Sequence, residues 1–417
     1  MQLKTILNRV QKFKRFIFED ISWAENTEET EIEVGVRARL NSWAQCSRCR
    51  RDCPGYDVQA ERRYEFIPLW GIKVFFIYAP RRVSCPQCGV RVEHVPWSVG
   101  KHRLTTAYAW YLSSWAKRMS WKEVAEVFHT SWHHVFRSVE MAVEWGLKHR
   151  DVSGVSAIGV DEIQWRKGHK YLTLVYQIDA GSKRLLWLGK ERKESTLQGF
   201  FDWFGSERSV ALEFVCSDMW KPYLNVIAAN AGQAIHILDR YHIMATINKA
   251  IDKVRAEEAR KMKADGYDPV LKKTRWLLLK RPENLTDKED MKLSELLQYN
   301  LRSVRSYLLK EEFQQLWTYT SPYWAGLFLD RWCTKTMRSK IEPMKKVARQ
   351  MRKHRPLIMN WFEAKGMFSS GIVEGFNNKA KLTMRKSYGF RTFKAIEIAL
   401  YHSIGDLPEP QSTHRFI

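Results

Sequence analysis

The stretch VSAIGVDEIQWRKGHKYLTLVYQIDAGSKRLLWLGKER, residues 155–192, decides the fold. It contains three apolar, β-branched runs, VSAIGVDEIQW, HKYLTLVYQIDA and RLLWLGKER, parted by Lys167-Gly168 and by Gly181-Ser182-Lys183. Runs of that length between turn residues read as three strands in hairpin order. Ser195 then opens a helix, STLQGFFDWFG. ALEFVCSD is a short apolar strand ending at Asp218, KPYLNVIAANAG a second helix, and AIHILDRYH a fifth strand. The order is β-β-β-α-β-α-β-α.

That order is the one used by the ribonuclease H-like fold, in which the first and fourth strands lie side by side at the sheet centre. Asp161 on the first strand and Asp218 at the end of the fourth then become neighbours. Two carboxylates so placed repel each other unless a cation sits between them. Mg²⁺ takes oxygen ligands and keeps several waters, which suits two Asp side chains and a phosphate. A lone Asp after a strand is more often a turn former or a helix cap, and Asp218 has a helix to cap near Pro222. Only the pair, in this topology, stands above that background.

Downstream, the chain from His242 to about residue 365 reads as helical and charged. IMATINKAIDKVRAEEARKMK is amphipathic, and Arg331 to Lys365 holds eleven Lys/Arg against two Glu. A solvated face explains such charges; a one-sided excess of this size favours a face that tracks phosphate. SSGIVEGFNNKAK, residues 369–381, then resumes as a helix in which Glu374 is the only acid between Glu363 and Glu397. Asn378, Lys381 and Arg385 follow it at +4, +7 and +11, on one helical stripe, with Lys379 beside them. A first-turn Glu satisfies the helix dipole, but the dipole does not account for the companion Asp pair.

Upstream, SWKEVAEVFHTSWHHVFRSVEMAVEWGLKHR begins with a capping box, Ser120-x-x-Glu123. A short helix, a turn at His129-Thr130 and a longer helix match a helix-turn-helix. Its second helix would present Trp132, His133, His134 and Arg137 to a major groove; the bland alternative is an ordinary three-helix unit. Further upstream, Cys46-x-x-Cys49 and Cys85-x-x-Cys88, with 35 residues between the pairs, form two zinc knuckles. EIEVGVRAR, ERRYEFIPL and IKVFFIYAPRRVSC read as strands, the last two joined around Trp70-Gly71. Four thiolates leave no open position, so one Zn²⁺ would be structural. Cys53 and His94 stand close enough in sequence to replace a ligand, although a bystander role is favoured. Arg48, Arg50 and Arg51 beside the first knuckle suit a DNA-facing ribbon.

Composition agrees with a polyphosphate partner. The 417 residues carry 69 Lys+Arg against 46 Asp+Glu, a net charge of +23, with 45% hydrophobic residues to build cores. The N-terminal MQLKTILNRVQKFKRF lacks the apolar run of a signal peptide, and no segment approaches the ~18 apolar residues of a membrane span. The expected setting is intracellular, with no membrane partner.

The motifs CSRC, CPQC, the helix-turn-helix, IGVDEI, CSDMWKPY, LDRYHI and SSGIVEGFNNKAK…YGFRTF, spread over nearly the whole chain, resemble the ISL-three family of bacterial insertion-sequence transposases. The resemblance implies that Asp161, Asp218 and Glu374 are a DDE triad holding two catalytic Mg²⁺ ions, with Mn²⁺ able to substitute. It implies supporting roles for Asp239 and His242 in DRYH, and a cytoplasmic, nucleoid-associated location. It also implies a homodimer or higher oligomer on double-stranded DNA, acting on transposon ends and target. The expected fold is multi-domain α+β: a small β zinc ribbon, a helix-turn-helix and a ribonuclease H-like α/β catalytic domain interrupted by an α-helical insertion. The expected boundaries are 1–100 for the N-terminal strands and ribbon, 101–150 for the helix-turn-helix, 151–244 for the first catalytic part, 245–365 for the insertion and 366–417 for the final catalytic part. The rivals are a zinc-ribbon, helix-turn-helix regulator without catalysis and a ribonuclease H-like nuclease that does not transpose.

Overall fold

A computed structural model gives the chain's fold and describes residues 3–25, 30–100, 102–267, 270–364, 370–387 and 389–411. It is a mixed α and β protein with two compact units, Met1–Asp151 with Leu382–Ile417, and Val152–Lys381. Among the described residues no helix is long and apolar enough to cross a membrane.

The first unit opens on the helix Leu3–Val10 and then builds a four-stranded sheet in the order Phe16–Trp23, Glu31–Ala38, Ile72–Tyr78, Arg62–Leu69, its two inner strands parallel. EIEVGVRA buries Ile32, Val34 and Val36 and turns the intervening residues outward, the period of two that places one strand face on a core. That core closes on Trp97, whose ring meets Phe16 at 4.9 Å and Tyr78 at 5.3 Å edge-on. The hairpin between Leu69 and Ile72 turns on Trp70 (φ 52°) and Gly71 (φ 81°). Both central residues are left-handed, as a two-residue turn matched to strand twist requires.

Smaller ribbons follow. Ala44–Gln45 pairs with Asp52–Cys53, and Arg81–Cys85 lies between Gly55–Val58 and Gly89–Val92. Three helices come next. Thr105 caps Thr106–Ala116, Ser120 and Glu123 form both halves of a capping box on Trp121–Val127, and Ser131 caps Trp132–His149. His129 takes φ 47° in the turn between the last two.

The second unit holds a five-stranded sheet. Its strands, in chain order, are Ala157–Arg166, Lys170–Asp179, Ser182–Lys190, Phe214–Ser217 and Ile235–Leu238, called here first to fifth. Across the sheet they run third, second, first, fourth, fifth. The first three are antiparallel hairpins, and the fourth and fifth continue parallel to the first. Helices Glu194–Phe204 and Lys221–Asn230 contribute Leu197, Phe200, Phe204, Tyr223 and Ile227 to an apolar core with Ile158, Val160 and Val215. After the fifth strand come separate helices between Arg240 and Glu363, packed around Ile247, Leu278, Phe313, Trp332, Met344 and Ile358.

The helix Ser370–Lys386 carries Glu374 onto the sheet. A Cβ on Gly159 would come within 2.4 Å of Val373, so the first strand has no side chain where this helix approaches. Phe376 stacks on Tyr176 with ring centroids 5.0 Å apart. Tyr176 is the cross-strand partner of Gly159, so both contacts fall at one place on the sheet.

Candidate active site

Strand register brings three aspartates level. The first strand pairs with the fourth through Gly159 and Cys216, and the fourth with the fifth through Ser217 and Leu238. Continued by one or two residues, that register sets Asp161, Asp218 and Asp239 on a single rung, at strand spacings of about 4.8 Å. The fourth and fifth strands end just before that rung while the first runs through it to Arg166, and each of the three brings one carboxylate to it.

The three side chains are held differently. Asp161 Oδ1 accepts from the Glu162 amide at 2.8 Å and lies 3.6 Å from His242 Nε2, while Oδ2 accepts from Asn377 Nδ2. Asp239 caps the following helix by accepting from the Tyr241 amide at 2.7 Å, and its Oδ2 lies 3.8 Å from His242 Nε2. Asp161, Asp239 and His242 thus each offer an atom within 4.8 Å of the others. Burial alone would lower the His242 pKa. The hydrogen bond and charge of Asp161, with the charges of Asp239 and Asp218, outweigh it and raise the imidazole to about 9. Asp218 does not join that group. Its Oδ1 accepts from the Trp220 amide at 2.9 Å, a local turn before the helix Lys221–Asn230, and its Oδ2 accepts from Arg192 at 2.9 Å.

Glu374 is exposed, in the first turns of the helix. No described contact joins it to the aspartates, but Asn377, three residues on, donates to Asp161 and accepts from the Tyr176 hydroxyl at 2.8 Å. Val373, Phe376, Asn377 and Ala380 form the buried stripe of this helix, while Glu374, Asn378, Lys379, Lys381 and Arg385 are exposed. The exposed stripe is legible from sequence spacing. Asn377 is a site residue that spacing from Glu374 passes over; the apolar companions Val373, Phe376 and Ala380 are the signal that marks its face.

Glu162 and Arg192 are also missed by the sequence reading. Glu162 is buried beside Asp161, and Arg192 Nε lies 2.9 Å from its Oε1. Burial and the Asp218 charge raise the Glu162 carboxyl to about 7 despite Arg192. An acid inside an otherwise apolar strand was the available signal for Glu162; Arg192 had none.

Cys46, Cys49, Cys85 and Cys88 converge with sulfurs within 4.8 Å, the geometry of a four-thiolate metal site. Burial opposes ionisation of Cys85, but the Gln87 and Cys88 amides aim at its sulfur and bring the thiol down to about 6. Burial and three neighbouring sulfurs push Cys88 up to about 12, the cost of gathering thiolates without a counter-charge. Cys53 contacts the Arg51 carbonyl at 3.4 Å and falls outside this set of four, as does His94.

Residues 158–400 match the family DDE_Tnp_ISL3, described as "Transposase". The chain belongs to the ISL3 family of transposases. It is 29% identical over 349 aligned positions to the transposase for insertion sequence element IS1001 of Bordetella parapertussis, covering 83% of this chain and 85% of that one. It is 29% identical over 440 positions to the transposase for insertion sequence element IS1557 of Mycobacterium tuberculosis, covering 96% and 95%.

In this ISL3-family chain the N-terminal part of the helix Trp132–His149 is partly engaged with itself. Trp132 stacks on Phe136 at 5.5 Å, and His134 Nδ1 meets the Thr130 hydroxyl at 3.0 Å. Arg137 pairs with Glu140 at 2.7 Å, and His133 is exposed. Arg48, Arg50 and Arg51 are all exposed beside the first knuckle, with Arg50 at φ 63°.

Proposed function

We propose that the chain binds the terminal inverted repeats of its insertion sequence and catalyses metal-dependent DNA strand cleavage and strand transfer. The observation that carries this reading is the single rung of Asp161, within the first strand, and Asp218 and Asp239, just past the ends of the fourth and fifth, with the Glu374 helix tied to it through Asn377. In this reading the five-stranded sheet is a ribonuclease H-like catalytic core, 245–365 is an insertion into it, and Asp161, Asp218 and Glu374 are the triad. Oxygen donors from adjacent strands, two of them nearly buried, fit hard divalent cations such as Mg²⁺ or Mn²⁺. A bound pair of such ions supplies Lewis acidity and charge neutralisation at the scissile phosphate.

The chain's own residues do the positioning. Asn377 fixes the rotamer of Asp161, Asp239 and Asp161 hold the His242 imidazole, and the Trp220 amide fixes one oxygen of Asp218. Rigid placement of this kind is what phosphoryl transfer asks of a protein, since no covalent intermediate with it is needed. The cysteine cluster fits one structural Zn²⁺. The exposed arginines of the ribbon, with Trp132, His133, His134 and Arg137, supply end recognition. Asn378, Lys379, Lys381 and Arg385 supply phosphate contacts. Paired ends call for a dimer or larger assembly on DNA.

The test uses labelled duplex carrying the element's own end, with Mg²⁺ or Mn²⁺. Asp161→Asn, Asp218→Asn and Glu374→Gln should each abolish nicking while end binding survives in a mobility-shift assay. Full nicking by any one of them removes that residue from the triad.

A further inference from the structure

Arg192 follows the third strand, and its guanidinium lies between two acidic side chains of the site. Nε stands 2.9 Å from Glu162 Oε1 and Nη2 stands 2.9 Å from Asp218 Oδ2. The Glu162 and Asp218 side chains are 7% and 11% exposed, while Arg192 keeps 33%. Its Cζ lies 4.5 Å from the centre of the Trp220 ring, which supports the planar group from one side. Asp218 Oδ1 is already committed to the Trp220 amide. Oδ2 is the oxygen with no backbone donor among the described contacts, and the guanidinium has it.

We propose that Arg192 is the internal counter-ion of this site, competing with a divalent cation for Asp218, and that a DNA phosphate promotes cation binding by drawing the guanidinium away. The inference rests on the reading of Asp218 as a metal ligand. Two buried carboxylates without a compensating charge are costly, so one cation or another must accompany them. A guanidinium fork fits carboxylate and phosphate oxygens equally well, and a phosphate is the one partner that DNA brings to the site in excess. Arg192 is the more exposed member of its trio, so it exchanges partners without opening the core. Because coupling between two ligands is reciprocal, the cation must then raise the affinity for DNA by the same factor that DNA raises the affinity for the cation. The site would be loaded with metal on the substrate rather than in the free protein.

The experiment measures Mn²⁺ affinity of the full chain by electron paramagnetic resonance of the free ion, with and without a short duplex bearing the element's end. In the native chain the duplex should tighten Mn²⁺ binding by about fivefold or more, the lower end of usual coupling. Arg192→Gln should bind Mn²⁺ about fivefold tighter than native without DNA, and the duplex should add less than about twofold. An Arg192→Gln chain that binds Mn²⁺ no tighter than native, or keeps the full response to DNA, overturns the proposal. Should that variant not fold, Arg192→Lys reads the same quantity, since one ammonium does not span both carboxylates: tighter binding without DNA supports the proposal, and equal or weaker binding sinks it. Asp218→Asn separates the two levels. If it binds Mn²⁺ as the native chain does, the metal-ligand reading itself fails, whatever Arg192 does.

Discussion

Asn377 shows how much rests on one amide. Its oxygen accepts from Tyr176, whose side chain is fully buried, and its nitrogen donates to Asp161. Removing one partner of a buried hydrogen bond costs about 1–3 kcal/mol, whereas removing both comes close to neutral. Asn377→Leu should therefore lower unfolding stability by about that amount and Tyr176→Phe by about 1 kcal/mol, with the double variant costing less than the sum. Strict additivity in urea titrations would show that the bond is not formed in solution. A second residue gives a pH signature. Burial, with the Glu31 charge and against that of Lys73, raises the Glu65 carboxyl to about 7, and Tyr108 packs within its field. The folded chain then holds a proton that the unfolded chain releases near the ordinary carboxylate value, so stability is full below that value and is lost as pH rises to about 7. Glu65→Gln should gain on the order of 1 kcal/mol at pH 8, after allowance for solvent screening, and nothing at pH 4. Equal melting-point shifts at both pH values would refute the assignment.

At the scale of elements, the docking of the Glu374 helix depends on a gap in the first strand. An added methyl at Gly159 meets Val373 at 2.4 Å, with Ile178 at 3.5 Å behind it. Gly159→Ala should cost about 1–3 kcal/mol by overpacking and should depress nicking by shifting the helix. Val373→Ala in the same chain should recover most of the loss, and a failure to recover would place the strain elsewhere. This contact also marks the limit of what the sequence discloses. The five strands were legible because each is an apolar run closed by Gly, Asp or Lys turns, and the helix Trp121–Val127 because Ser120-x-x-Glu123 is a local capping signal. Asp161 and Asp218 stood out because each ends or interrupts such a run. Arg192, Glu162 and Asn377 were not legible, because their meaning is set by partners 26 residues away (Arg192–Asp218), across the sheet, or 216 residues away (Asn377–Asp161). The stripe counted from Glu374 selected Asn378 on the solvent side, while packing against Gly159 makes Asn377 the residue that reaches the site.

The whole molecule carries a net charge of +23, yet it gathers several acids at one place. Asp161, Glu162, Asp218 and Asp239 each have a cationic neighbour in Arg192 or His242, so the two cations offset about half of the four carboxylates' charge from within. The long-range field is then set by exposed Lys and Arg, and DNA affinity should carry its signature. Each phosphate neutralised releases counter-ions and adds about 0.9 to the slope of log K against log salt. Lys381 and Arg385 are exposed on the helix that bears Glu374, about two and three turns along from it. Replacing both with Gln should make the slope for duplex binding shallower by about 2, and should do so equally for the element's end and for unrelated sequence, because phosphate contacts carry no sequence information. A slope that stays at the native value would remove both residues from the DNA-contacting surface. A change confined to the element's own end would assign them to base recognition instead.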